Sequence, residues 1–70
     1  MTKTHEIRLN GELHTIKAGL TVAELLHDQG FPSVGVAVAI NKSVIPKSQH
    51  ATTTVDSQSV VEIIRAVGGG

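Results

Sequence analysis

Seventy residues, 40% of them hydrophobic, with no cysteine and one aromatic side chain, allow one small domain. Six Lys and Arg against six Asp and Glu exclude the broad basic surface that drives non-specific nucleic-acid binding. The absent cysteines exclude a disulfide, a thiolate metal site and a thiol nucleophile, and the longest nearly apolar stretch, Val34 to Ile40, falls far short of the ~20 residues that span a bilayer.

The first residues, Met1-Thr2-Lys3-Thr4-His5-Glu6, carry charge where a signal peptide needs an apolar segment, so the chain is expected to be cytoplasmic and unprocessed at that end. His5 to Leu9 alternates, with Ile7 and Leu9 on one face and Glu6 and Arg8 on the other, and predicts a half-buried strand. Asn10-Gly11 suits a two-residue hairpin loop into a second strand from about Glu12 to Lys17. Leu13 and Ile16 have opposite parity in that strand, so either it bulges or one of the two side chains points outward.

The strongest local signal follows. Thr21 with Glu24 forms a capping box, flanked by Leu20 and Leu25 as a hydrophobic staple. Val22, Leu25 and Leu26 make one apolar stripe, with Glu24, His27 and Asp28 facing elsewhere. Gly30 ends the helix, Phe31 is placed to contact its last turn, and Pro32 blocks continuation.

Val34 to Ile40 predicts a strand with Val36, Val38 and Ile40 on one face and Gly35, Ala37 and Ala39 on the other. Asn41-Lys42-Ser43 reads as a turn, Val44-Ile45 as a short strand stopped by Pro46, and Lys47 to Thr54 as polar and irregular. After a turn over Asp56-Ser57-Gln58-Ser59, a last strand from Val60 to Val67 carries branched residues on both faces, the pattern of a central strand. Gly68-Gly69-Gly70 follows it directly.

Enzymatic constellations are missing from this order. His5, His14, His27 and His50 are too widely spaced for a compact ligand motif and read as ordinary surface or half-buried residues. The acidic residues form no suggestive pair, Glu24 already serves the helix cap, and no glycine pattern matches a phosphate cradle. No catalytic residue and no metal site is expected.

The terminal glycines remain. At ~7% average glycine usage a run of three has a chance of only about three in ten thousand at a given place. Such a run is the composition of a flexible tail or a cloning scar. It is equally that of a tail thin enough to thread a narrow channel in a partner, with no Cβ beside the terminal carboxylate of Gly70. A carboxylate is a poor electrophile, so acyl chemistry there requires a partner to activate it, most simply as an acyl adenylate. The chain would be substrate and carrier, and not catalyst.

Four segments carry a resemblance that spans almost the whole chain: Leu9-Asn10-Gly11-Glu12; Thr21-Val22-Ala23-Glu24-Leu25-Leu26; Val36-Ala37-Val38-Ala39-Ile40-Asn41 leading to Val44-Ile45-Pro46; and Val61 through Gly70. Their order and spacing resemble the ThiS family of ubiquitin-like sulfur carriers in thiamine biosynthesis. The resemblance implies an α+β, β-grasp fold, a mixed sheet of four to five strands packed on one main helix, over residues 1–67, with 68–70 as a flexible tail. It further implies that an E1-like, ThiF-like adenylyltransferase uses ATP and Mg²⁺ to adenylate the Gly70 carboxylate. Sulfur from a cysteine desulfurase would then make a thiocarboxylate that donates to a ThiG-like thiazole synthase. No cofactor would be bound by the chain itself. Gly69 matches the family's penultimate glycine, whereas Gly68 stands where Ala or Ser is usual. The turn at Asp56 to Ser59 also departs from the family's usual Gly-Asp-like sequence, and the N-terminus is a few residues longer than usual.

Three other readings share parts of this pattern. The small subunit of molybdopterin synthase uses the same thiocarboxylate, but a Pro-Pro pair commonly precedes its terminal glycines, where Ile64-Arg65-Ala66-Val67 stands here. A ubiquitin-like modifier would form isopeptide bonds, and a plain β-grasp interaction module would not need Gly70. For the carrier, both partner enzymes are expected to contact the outer sheet face near the last strand. Gly68 and Gly69 would thread into the partner, and Arg65 would make an electrostatic contact or serve only as surface charge.

Overall fold

The computed structural model describes residues 3–32 and 34–65. In chain order these form β1 (Thr4–Leu9), β2 (Glu12–Lys17), α1 (Val22–Asp28), β3 (Val36–Ile40), β4 (Ser43–Ile45), a short 3₁₀ turn (Lys47–Gln49) and β5 (Val60–Arg65). The strands make one mixed sheet in the order β2-β1-β5-β3-β4. β5 runs parallel to β1 and antiparallel to β3, which places the last strand in the centre as its branched residues predicted.

The hairpin turns follow from local chemistry. Asn10 and Gly11 both adopt positive φ (49° and 86°), the backbone of a type I′ turn whose twist matches that of the flanking strands. β1 and β2 then pair without interruption from Thr4↔Lys17 to Leu9↔Glu12. There is no bulge. Ile16 is buried and Leu13 lies on the open face. The second hairpin uses the same turn without glycine, with Asn41 at φ 51° and Lys42 at φ 71°.

Helix α1 is framed by the signals read from the sequence. The Glu24 amide donates to Thr21 Oγ1 at 3.1 Å, and the Thr21 amide donates to Glu24 Oε1 at 2.9 Å. At the other end, the Phe31 amide bonds the Leu26 carbonyl (2.9 Å) and the Gly30 amide bonds that of His27 (3.1 Å). With Gly30 at φ 79° this is a Schellman termination, and Phe31 packs against the core as it closes.

The core lies between the helix and one sheet face. Val22, Leu25 and Leu26 of the helix meet Ile7, Leu9, Ile16, Val38, Val61 and Ile63 of the sheet, with Leu20 and Val55 filling the loop side. Burying this apolar set in contact is the dominant favourable contribution to a domain of this size.

Three expectations are corrected. β3 begins at Val36, because Gly35 turns the chain with φ 72° and leaves Val34 exposed. The stretch from Lys47 to Thr54 is not wholly irregular: it opens with the 3₁₀ turn at Lys47–Gln49, Thr54 bridges to Thr21, and the Ala23 amide donates to the His50 carbonyl at 2.9 Å. His50 is a core residue, 7% exposed. Its Nε2 lies 3.0 Å from the Ile45 carbonyl, which can only accept, so the ring donates from Nε2 and ties the loop to β4. The other three histidines are half-buried or exposed. Of the last strand, Ala66 and Val67 lie outside the described residues.

Candidate functional site

The site is the C-terminal half of β5, the strand edges that hold it and the sheet face around it. Since β5 is parallel to β1, it ends at the same end of the sheet as the Asn10-Gly11 turn. Since it is antiparallel to β3, its last described residue, Arg65, stands opposite Val36 at the start of that strand. Arg65 therefore stands at the end of the sheet that also carries the Asn10-Gly11 turn and the start of β3. Gly68, Gly69 and Gly70 lie outside the described residues.

Two asparagine side chains hold this strand from opposite sides. Asn41 Oδ1 accepts from the Val60 amide at 2.9 Å, while the Asn41 amide donates to the Val60 carbonyl at 2.8 Å. On the β1 side, the Asn10 amide donates to the Val61 carbonyl at 2.9 Å. The Asn10 side chain reaches further, accepting from the Ile63 amide at 2.8 Å and donating to the Ile63 carbonyl at 3.3 Å. β1 has already turned away there, so one carboxamide replaces the strand neighbour that the Ile63 peptide groups would otherwise lack.

Alternation divides β5 between two faces. Val61 and Ile63 enter the core, whereas Val60, Glu62 and Ile64 face outward. Register places Ala37 beside Ile64, Ala39 beside Glu62 and Val44 beside Ala39, while Arg8 stands beside Val60 and Leu13 beside Arg8. Leu13 (62%), Val44 (73%), Val60 (43%) and Ile64 (63%) are all substantially exposed on this face. The branched residues that marked β5 as central thus have a covered side and an open one, and the open side is an apolar surface interrupted by Arg8 and Glu62. Exposed apolar side chains gathered on one sheet face in this way make it a candidate interaction surface.

Arg65 is exposed, but strand parity places it with Val61, Ile63 and Val36 rather than with Ile64. It projects from the helix-side face at the sheet's end, round the corner from the apolar surface. Sequence reasoning missed both asparagine clamps, whose only sequence signal was their position at the two turns.

The described residues contain no group of three His, Cys, Asp or Glu side chains able to hold a metal ion, and no helix among them is long and apolar enough to cross a membrane. Glu24 has a lowered pKa because the Thr21 backbone amide, and then the Thr21 hydroxyl, hydrogen-bond its carboxylate. That shift is explained by the helix cap.

Comparison with known proteins gives the arrangement a context. Residues 7–70 match the family model described as the ThiS family. A thiazole synthase of Magnetococcus marinus is 35% identical over 65 residues, covering 93% of this chain, and the chain spans only 20% of that protein's length. The sulfur carrier protein ThiS of Escherichia coli is 31% identical over 65 residues, covering 93% of this chain and 98% of that one. The crystal structure of the thiamine biosynthesis protein ThiS from Geobacter metallireducens superposes with a TM-score of 0.79 at 29% identity, over 93% of this chain and 99% of that one.

Proposed function

The chain belongs to the ThiS family, and on that premise we propose that it is a sulfur carrier of thiamine biosynthesis, a protein cosubstrate and not an enzyme. The reacting group is the Gly70 carboxylate. An E1-like, ThiF-like adenylyltransferase with ATP and Mg²⁺ joins a carboxylate oxygen to the α-phosphorus, and pyrophosphate leaves. The acyl adenylate is then open to attack at carbon. The terminal sulfur of a persulfide supplied by a cysteine desulfurase attacks that carbon, AMP departs, and a thiol then reduces the S–S bond of the resulting acyl disulfide, leaving a disulfide and a thiocarboxylate. Ionised at neutral pH, it is a better nucleophile than the carboxylate it replaces, and it passes its sulfur to a ThiG-like thiazole synthase during thiazole formation. These steps take place in the cytoplasm.

The observation that carries this reading is the joining of a rigid strand to a glycine tail. β5 is central, paired on both sides and held at Val60 and Ile63, and Gly68-Gly69-Gly70 follows it within a few residues. A firm body fixes where the tail starts, and glycines leave its end unobstructed. Gly68 and Gly69 thread the partner's channel.

Both enzymes dock on the outer sheet face of β5 around Ile64, next to Arg65, after which the tail begins. The thiazole synthase relative supports this pairing, because a segment like this chain occupies part of a polypeptide carrying that name. Tethering raises the effective concentration of two modules that meet. Arg65, at the sheet's end, adds a peripheral electrostatic contact.

Complementation tests the reading. Expressed in a bacterial strain that lacks its own ThiS, the chain is expected to restore growth without added thiazole, and the same chain without Gly70 is not. Rescue instead of a strain lacking the small subunit of molybdopterin synthase would move the carrier to that pathway. Full activity without Gly70 would reduce it to an interaction module.

A further inference from the structure

The geometry points to Asn10 as the positioning residue that fixes where the reactive tail leaves the sheet, an inference that rests on the carrier reading above. Backbone pairing between β1 and β5 covers only Arg8↔Val60 and Leu9↔Val61, because the chain turns at Asn10-Gly11. In a strand the amide and carbonyl of one residue point the same way, and those of the next point the other way. Val61 and Ile63 face β1, while Val60, Glu62 and Ile64 face β3. Pairing with β3 continues to Val36↔Arg65, so that side of β5 is held to its end. On the β1 side the ladder stops at Val61, and only the Asn10 carboxamide extends it to Ile63.

The same residue therefore performs two separable tasks. Its backbone takes the positive φ of the hairpin turn, which Gly or Asp would also take, and its side chain clamps a strand 53 positions away. Without the clamp the last residues of β5 would be anchored on one side only and free to splay from β1. The error would grow along the tail to the carboxylate. In-line attack on an α-phosphate requires close alignment of the reacting atoms, so a tail whose origin wanders spends less time in the productive pose. Asn41 supplies an internal control, since it holds the same strand by a similar bond at Val60, the end remote from the tail.

Asn10→Gly keeps a turn-compatible residue and removes only the clamp. Asn10→Asp also suits the turn, keeps an acceptor for the Ile63 amide and loses the donor to its carbonyl. Asn41→Gly removes the remote clamp. Each chain is followed by amide hydrogen exchange at Ile63, and by pyrophosphate release with an E1-like, ThiF-like enzyme and MgATP. Asn10→Gly is expected to lose Ile63 protection and to lower kcat about tenfold, the scale of one net hydrogen bond, with KM little changed because the docking face is intact. Asn10→Asp should recover most of both quantities, and Asn41→Gly should keep the wild-type kcat. If Asn10→Gly does not fold, a normal kcat in Asn10→Asp together with lost Ile63 protection overturns the role. Equal kcat values for Asn10→Gly and Asn41→Gly overturn it while leaving the carrier reading intact. A wild-type chain that releases no pyrophosphate overturns the carrier reading and this role with it.

Discussion

Ile63 and Ile64 are neighbours in β5 with opposite surroundings, and exchanging each in turn separates the fold from the docking face. Ile63 is buried against the helix side, so Ile63→Ala is expected to cost about 2–5 kcal/mol through lost transfer energy and the cavity left behind. That is a large share of the roughly 4–10 kcal/mol available to a domain of this length. Ile64 is 63% exposed, and Ile64→Ser should cost the fold no more than about 1 kcal/mol, mainly in strand preference. The surface it still offers is what a partner can cover. Full burial of an isoleucine is worth about 1.5–3 kcal/mol, so the exposed fraction leaves about 1–2 kcal/mol for docking, or about 5- to 30-fold in Kd. Urea unfolding measures the first quantity, and calorimetric titration against a ThiG-like thiazole synthase measures the second. Ile64→Ser should fold like the wild type and bind weakly. Unchanged affinity would show that partners do not use this face, and a stability loss equal to that of Ile63→Ala would show that Ile64 is not on an open face at all.

Other consequences concern the frame and the periphery. Thr21→Ala removes the helix cap and should lower stability by about 1 kcal/mol at neutral pH in urea titrations. Because Glu24 has a folded pKa below its ordinary 4.5, its contribution is present above the unfolded value and is lost as pH falls through the lowered folded one. Thr21→Ala keeps the backbone amide that chiefly lowers this pKa and loses only the hydroxyl's share, so the gap between the two chains should narrow slightly in acid without closing, since the bond from the Glu24 amide to the Thr21 hydroxyl persists there. A gap that widened in acid would contradict the assignment. His50→Ala strands the Ile45 carbonyl and should cost about 1–3 kcal/mol in thermal or urea unfolding; a neutral effect would mean that this bond contributes nothing. Arg65→Ala should leave stability unchanged and slow adenylation by no more than about fivefold at low salt, with the difference vanishing at high salt. Unchanged kinetics at low salt would remove Arg65 from the interface.

Which of these features the sequence disclosed depends on how far apart the interacting residues lie. The helix was legible at both ends because Thr21 and Glu24, and Gly30 and Phe31, are near neighbours whose chemistry is complete within a turn. Asn10-Gly11 was legible for the same reason, and the parity of Ile7, Leu9, Val36 and Val38 identified the covered face. Where parity conflicted, at Leu13 and Ile16, tertiary packing had to decide. His50 was misread as ordinary because the bonds that hold it, from its ring to the Ile45 carbonyl and from the Ala23 amide to its own carbonyl, form only when the loop folds back on α1. The Asn10 clamp was hidden for a related reason, since its partner is brought close only by the parallel pairing of the first and last strands. At β5 the branched residues disclosed the central position but not that one face would remain open, which depends on the other layers of the fold. Arg65 was placed in the right strand, and counting alternation from Ile63 shows the side of the sheet on which it lies.

The carrier function rests on chemistry at one atom, and intact mass spectrometry reads it directly. The chain is incubated with MgATP, a ThiF-like adenylyltransferase, cysteine, a cysteine desulfurase and a thiol reductant, beside a chain lacking Gly70. The carrier account predicts a mass increase equal to exchange of one oxygen for one sulfur, dependent on ATP and absent from the truncated chain. An unchanged mass with partners that thiolate another ThiS protein, or the same increase without Gly70, would contradict it.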